Sequence, residues 1–413
     1  MKVLLIGSGG REHALAWKLS QSPALDRLVI APGNPGTACY GQNTSIPLHD
    51  LAALADLARH EAVDLVVVGP ENPLAAGLAD RCQDAGIPVF GPTAGAARIE
   101  SSKSFAKALM NEANVPTAET HTFSDPVAAA EFARRSGKAW VVKADGLALG
   151  KGVVVADDLS STLEAVAHVG TIYTGQLILL EERLYGRELS VLALCDGQRL
   201  LPLPPARDHK RLLDGDAGPN TGGVGAVAPV ESVTPDLLDD IVSRCMQPVV
   251  DVLADRGTPF CGALYAGLML TNQGPKVLEF NARFGDPEIQ VVLPLLEGDL
   301  LAAMLACAEG RLQTDLLTIR QGCAACVVLT AAGYPEQPRK GDPITGLETL
   351  KADDLLIFHA GTAWEDNRLV TAGGRVLGVT GLGSHLRVAL DRAYAAISQI
   401  SFTGMHYRMD IGA

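Results

Sequence analysis

The run KVLEFNARFGDPE, residues 276–288, sets Glu279, Asn281 and Arg283 at alternate positions of an apolar stretch. In a strand, residues two apart leave the same face, so these three side chains stand in a row. A carboxylate and an amide oxygen side by side are hard ligands suited to Mg²⁺, which takes one or two protein ligands and fills its shell with water and phosphate. Arg283 adds a planar fork that fits a phosphate or a carboxylate. Charged groups on one face of an apolar run are costly unless they line a cleft, which favours a metal site over a solvated strand edge.

Three more stretches carry groups of the same chemical kind. VVKADGLALGKGVVVA, residues 141–156, places Lys143 at the end of an apolar run and then Gly146, Gly150, Lys151 and Gly152 before a second run. A glycine hairpin lets backbone N–H groups and a mobile ammonium approach oxyanions, although a surface hairpin with solvated lysines has the same composition. In EERLYGRE, Glu181, Glu182 and Leu184 can edge an apolar slot for a base, with Glu188 beyond it to accept from sugar hydroxyls. Glutamates solvated at a strand end read alike. RDHKRLLDGDAGPNTGG joins Asp208, His209, Lys210 and Arg211 to a glycine-rich turn and is too polar for a core. It is either a surface loop or a lid that closes over an anion and excludes water.

These groups need elements to hold them. Residues 1–100 alternate short apolar runs (KVLLIG, RLVIAPG, DLVVVGP, PVFGP) with helical patterns, the rhythm of βαβ units and a parallel sheet. Ligands of such sheets sit outside the carboxyl ends of the strands, here GSGGRE, APGNPGT and GPEN. The first is a poor dinucleotide fingerprint, because Glu12 stands where the third glycine belongs and Ala31 and Pro32 where an acid should meet the ribose. A phosphate beside Gly9, Gly10 and Arg11 fits better, on the expectation that the helix start has free N–H groups. The expected division is an N-terminal Rossmann-like domain at 1–101, two αβ subdomains at 102–190 and 191–318, and a small C-terminal α/β domain at 319–413.

Bulk properties narrow the class. With 413 residues and 47% hydrophobic content the chain can bury several cores, and no run approaches the ~20 apolar residues of a membrane span. The start turns polar after six residues, reading as a strand and making a cytoplasmic location the default. A net charge of −13 without a basic block argues against nucleic acid as a partner. The eight scattered cysteines read as reduced, mostly buried thiols.

In chain order, Lys143 with its glycine loop, EExL with a following Glu, and Glu279-x-Asn281 resemble the ATP-grasp fold, in which two αβ subdomains clamp ATP and Mg²⁺. Together with GGREHALAWK, APGNPGT, FGPTAGAA, DHKR, GPNTGG, EFNARFGDPE and GMHYRMDIG, nearly the whole chain resembles the phosphoribosylamine–glycine ligase (glycinamide ribonucleotide synthetase) family. Two places depart from that pattern: the stretch between Glu164 and Leu177 is short, and Arg183 stands where an apolar or aromatic residue is usual.

The resemblance implies that ATP, glycine and 5-phosphoribosylamine give glycinamide ribonucleotide, ADP and phosphate through glycyl phosphate. It assigns Lys103, Lys143 and the Gly146–Gly152 loop with Lys151 to the ATP phosphates, and Glu181, Glu182, Leu184 and Glu188 to the adenosine. Mg²⁺ or Mn²⁺ falls to Glu279 and Asn281, the acyl phosphate to Arg283, and glycine to Asp208 and Lys210. Gly9, Gly10, Arg11 and Asn34 are expected around the 5-phosphate, with Glu71 near the sugar hydroxyls. The partners are then small molecules, and a monomer is expected. Two other readings stay open: another carboxylate ligase of the fold, or a nucleotide-binding protein without catalysis.

Overall fold

The apolar runs of the first 100 residues become five parallel strands. In the computed structural model, which describes residues 1–147, 152–350 and 352–413, their order is Gln42–Asn43, Arg27–Pro32, Lys2–Gly7, Leu65–Val68, Val89–Phe90. Val3 to Ile6 are fully buried because helices cover both faces, as parallel sheets require. The turn after the first strand shows why GSGGRE is glycine-rich. A Cβ on Gly7 or Gly69 would lie 2.3 or 2.1 Å from the Glu12 side chain, which fills the space the glycines leave. Glu12 in turn caps the helix Gly10–Leu19, accepting from the Gly9 N–H at 2.6 Å.

Two antiparallel sheets follow. The smaller runs Thr120–Phe123, Ile178–Glu181, Val141–Ala144, Val153–Val155, and packs Val142, Ile178 and Leu180 against Ala129, Ala133, Val166 and Val169 of the helices Pro126–Ser136 and Leu159–Ile172. The latter helix occupies most of the short stretch between Glu164 and Leu177. The larger runs Leu200–Pro202, Arg187–Asp196, Cys261–Thr271, Gly274–Asn281. Its core is continuous with one face of the N-terminal sheet, since Val66, Ala97, Val191 and Phe280 belong to one apolar cluster.

The last sheet takes strands from two parts of the chain. Its order is Arg207–Asp208, Gly225–Ala228, Cys323–Thr330, Arg375–Gly383, Leu355–His359, with the helix Leu386–Ile397 across it. Residues 207–208 and 225–228, inside the segment expected at 191–318, therefore leave their own sheet and hydrogen-bond in the C-terminal one, with Arg211–Leu213 and Ala217–Asn220 paired as a hairpin between them. Buried Val227 and the buried alanines of Gly225–Ala228 supply the apolar faces that make this pairing favourable. The excursion carries Asp208 and Lys210 to the junction of three sheets.

Candidate active site

Lys143 lies in the strand Val141–Ala144, where its neighbours in register are Leu179 and Val153. Its Nζ pairs with Glu181 Oε2 at 2.8 Å and reaches the Leu278 carbonyl of the larger sheet at 3.5 Å. Lys107 Nζ shares that Glu181 oxygen at 3.2 Å. Lys103 opens the helix Lys103–Glu112 and donates to the Gly146 carbonyl at 2.8 Å, so it braces the base of the glycine hairpin. Asp145 is tied to the same helix start, accepting from Ser104 Oγ at 2.6 Å and from Ser104 N at 3.2 Å. Burial pulls the Lys103 pKa down, against the attraction of Glu279.

Glu279 faces Gly267 across the larger sheet, and the missing side chain there leaves its carboxylate room; a Cβ would stand 3.3 Å from Glu279 Cγ. Burial alone would raise the Glu279 pKa, but Lys210, Lys143, Lys103 and Arg283 together hold it below the usual range. Asn281, buried, accepts from Arg283 Nη2 through Oδ1 at 3.3 Å. The strand ends at Asn281, yet Arg283 still comes back to its neighbour because two acids hold it: Glu100 Oε1 at 2.8 Å and Glu71 Oε2 at 3.3 Å. Despite burial, these acids keep the guanidinium pKa raised, so it stays charged. A carboxylate kept ionised beside an amide oxygen, with cations around them, suits a divalent cation bound together with phosphates.

The polar loop meets this row from the other side. Lys210 Nζ pairs with Glu188 Oε2 at 3.2 Å, and Glu188, Tyr265 and Glu279 outweigh burial to keep its ammonium well above the ordinary pKa. Asp208 goes the opposite way: burial first, then Glu288, push its carboxyl well up, and its Oδ1 is buried without a hydrogen-bond partner among the described residues. Gly223, at φ +99°, lets the loop close down, because a Cβ would come within 2.4 Å of Pro287 and 2.6 Å of Asp208. A buried carboxyl with a free acceptor oxygen beside a firm ammonium is a site for the two ends of a small zwitterion.

The structure thus brings Lys103, Lys143, Glu181, Glu188, Asp208, Lys210, Glu279, Asn281 and Arg283 to one junction. Glu71 joins them through Arg283, and Arg11 lies 4.0 Å from Glu71. Glu182 is exposed, its N–H donating to the Glu119 carbonyl at 2.9 Å, and Leu184 is half-buried. Arg183 turns outward to Asp157 and lies over the Tyr185 ring at 5.2 Å. Gly150 and Lys151 lie outside the described residues.

At the N-terminal sheet one expectation is corrected. The Gly9 N–H is not free for an anion, since Glu12 takes it, and Gly10 is a glycine because Gln290 Nε2 would lie 2.5 Å from its Cβ. Asn34 is likewise engaged: it donates to the Ser8 and His359 carbonyls, each at 2.9 Å, and accepts from Gly36 N at 2.8 Å.

Five residues escaped the sequence reading. Glu100, Glu288, Tyr265 and Arg375 act across long sequence separations that no local pattern marks: Tyr265 donates to Glu288 Oε1 at 2.9 Å, and Arg375 Nη2 pairs with Asp286 Oδ2 at 2.9 Å beside Asp208. Lys107 did leave a signal, because it lies four residues after Lys103 on one helix and so shares its face.

Family models for phosphoribosylglycinamide synthetase match the chain in three parts: the N domain over residues 1–100, the ATP-grasp (A) domain over 101–289 and the C domain over 324–413. A phosphoribosylamine–glycine ligase of Synechocystis is 49% identical over 416 residues, covering 100% of this chain and 99% of that protein. The crystal structure of a phosphoribosylamine–glycine ligase from Thermotoga maritima superposes with a TM-score of 0.87 at 34% identity, covering 100% of both chains. A biotin carboxylase domain from Hydrogenobacter thermophilus, solved with ADP, its magnesium salt and bicarbonate, aligns with a TM-score of 0.75 over 98% of this chain and 91% of that one; at 17% identity this shows the fold alone. On the family models and the full-length identity together, the chain belongs to the phosphoribosylglycinamide synthetase family.

Proposed function

We propose that the chain joins glycine to 5-phosphoribosylamine at the expense of ATP, releasing ADP and phosphate, at the junction where the two antiparallel sheets and the polar loop meet. A carboxylate does not acylate an amine in water, because its charge repels the nucleophile and its oxygen leaves poorly. Phosphorylation removes both faults. Glycine's carboxylate attacks the γ-phosphoryl of ATP to give glycyl phosphate, and the ribosylamine nitrogen then displaces phosphate from the acyl carbon. The protein's part is positioning and charge neutralisation.

In this reading Lys103 and Lys143 face the ATP phosphates, and the Glu181–Leu184 stretch with Glu188 faces the adenosine. Glu279 and Asn281 would hold a divalent cation, Mg²⁺ or Mn²⁺, which when bound neutralises charge on the terminal phosphates. Arg283, fixed by Glu71 and Glu100, steadies the acyl phosphate at its exposed edge. Asp208 and Lys210 receive the ammonium and carboxylate ends of glycine. The ribosylamine lies at the carboxyl ends of the first sheet, with Arg11 and Glu71 beside it. A monomeric protein of the cytoplasm fits these small-molecule substrates.

The observation that carries the reading is the convergence of Lys143, from the smaller sheet, and Lys103, from the helix Lys103–Glu112, on the Glu279–Asn281–Arg283 row of the larger sheet. The experiment is mass detection of glycinamide ribonucleotide from ATP, glycine and freshly generated phosphoribosylamine. Lys143→Ala should lower turnover by about 10²-fold or more while leaving the circular dichroism unchanged. Near-normal turnover in that variant would count against the assignment.

A further inference from the structure

Lys107 is a buried cation with no part in the chemistry above. It lies one turn beyond Lys103, and its ammonium is held between two acceptors: Thr117 Oγ1 at 2.7 Å and Glu181 Oε2 at 3.2 Å. Thr117 is itself fixed, donating to the Val277 carbonyl at 2.6 Å. Lys107 is therefore anchored. Lys143 pairs with the same Glu181 oxygen, and its other contact, to the Leu278 carbonyl, is long at 3.5 Å. One carboxylate oxygen thus serves two ammonium groups, while Glu181 Oε1 is buried without a hydrogen-bond partner among the described residues.

We infer that Lys107 is a positioning residue, the counter-ion that lets Lys143 leave Glu181 for the nucleotide phosphates. The inference rests on the reading that Lys143 meets those phosphates. A buried carboxylate stripped of its cation is strongly unfavourable. With Lys107 in place, Glu181 keeps a partner when Lys143 departs.

The charges facing Lys107 give the transfer a signature. Burial and the neighbouring Lys143 bring the Lys107 pKa down to about 8, against Glu181 of the adjacent strand and Glu279 of the larger sheet. When Lys143 moves off and phosphates arrive, a like charge is removed and negative charge is added. Both changes raise the Lys107 pKa, so nucleotide binding near that pH takes up a proton. The uptake fades as pH falls, because Lys107 is then charged beforehand.

The test is calorimetric titration of the full-length protein with ADP and Mg²⁺ at pH 8, in buffers of different ionisation enthalpy. The wild type should take up about half a proton on binding, and less than about a fifth at pH 7. Lys107→Met should bind ADP about tenfold or more weakly and without that uptake. Lys107→Arg, charged throughout, should restore affinity but not uptake, a split that a packing role would not give. In a Glu181→Gln background, Lys107→Met should no longer lower affinity. Unchanged affinity and uptake in Lys107→Met overturns the inference, as does uptake persisting in Lys107→Arg if the methionine variant does not fold. A wild type that binds no ADP overturns instead the nucleotide reading beneath it.

Discussion

Arg283 shows how the site is built one residue at a time. Its guanidinium meets Glu100, Glu71 and Asn281 and also donates to the Phe284 carbonyl at 3.3 Å. Lysine keeps the charge but has no fork for four partners. Arg283→Lys is therefore expected to lower kcat by about 10²-fold, with a much smaller change in the KM for ATP. It also leaves Glu100, whose pKa burial already raises, with a poorer partner, so a fall in Tm should accompany the kinetic loss. Steady-state kinetics with a melting curve checks both, and full activity in the lysine variant would remove Arg283 from the reaction. The row Glu279, Asn281, Arg283 was legible because strand period alone aligns it. Its supporting acids were not: Glu100 meets Arg283 across most of two domains, a pairing that only the fold creates.

At the scale of elements, the polar loop owes its place to the end of the chain. Arg408, 3% exposed, binds Asp410 through Nε and Nη2 at 2.7 and 2.9 Å, and its Nη1 reaches Asp216 Oδ1 at 3.0 Å and the Arg211 carbonyl at 3.1 Å. His406 adds a contact of 3.0 Å to the Leu212 carbonyl. The C-terminal segment therefore grips residues 211–216, just beyond Lys210. Arg408→Gln should speed backbone hydrogen exchange over 211–220 and raise the KM for glycine several-fold, with the exchange of the first sheet unaltered. Unaltered exchange in the loop would show that its position does not depend on this grip. GMHYRMDIG stood out as a motif, but its task could not be read from spacing. The alternating strands of residues 1–100 were plain, because buried parallel strands are nearly continuous apolar runs. The strands at 207–208 and 225–228 were not, because one is a two-residue polar pair, the other a run of only four, and both belong to a sheet whose other strands lie a hundred residues on.

For the whole molecule, histidines mark where the outer parts meet. His13, on the first helix, accepts the His359 N–H through Nδ1 at 2.6 Å and so ties the N-terminal sheet to the last one. Burial, then the adjacent His359, pulls its pKa to about 3; burial takes His359 to about 4. His209 accepts the Gly412 N–H at 3.1 Å, and burial with Arg207 and Arg408 takes it to about 4. All three fold as neutral rings, whereas in the unfolded chain each binds a proton below its ordinary value of 6.5. Their stabilisation is thus complete above that value and is lost as pH falls toward 4, at up to about 1.4 kcal/mol per pH unit for each ring. Urea midpoints should change little from pH 8 to 7 and fall more steeply from 6 to 5. His13→Asn replaces the ring acceptor with an amide oxygen that does not titrate, and its profile should be shallower than that of the wild type over this range. Parallel profiles would mean that His13 does not report on the docking of the two ends, and that acid acts elsewhere.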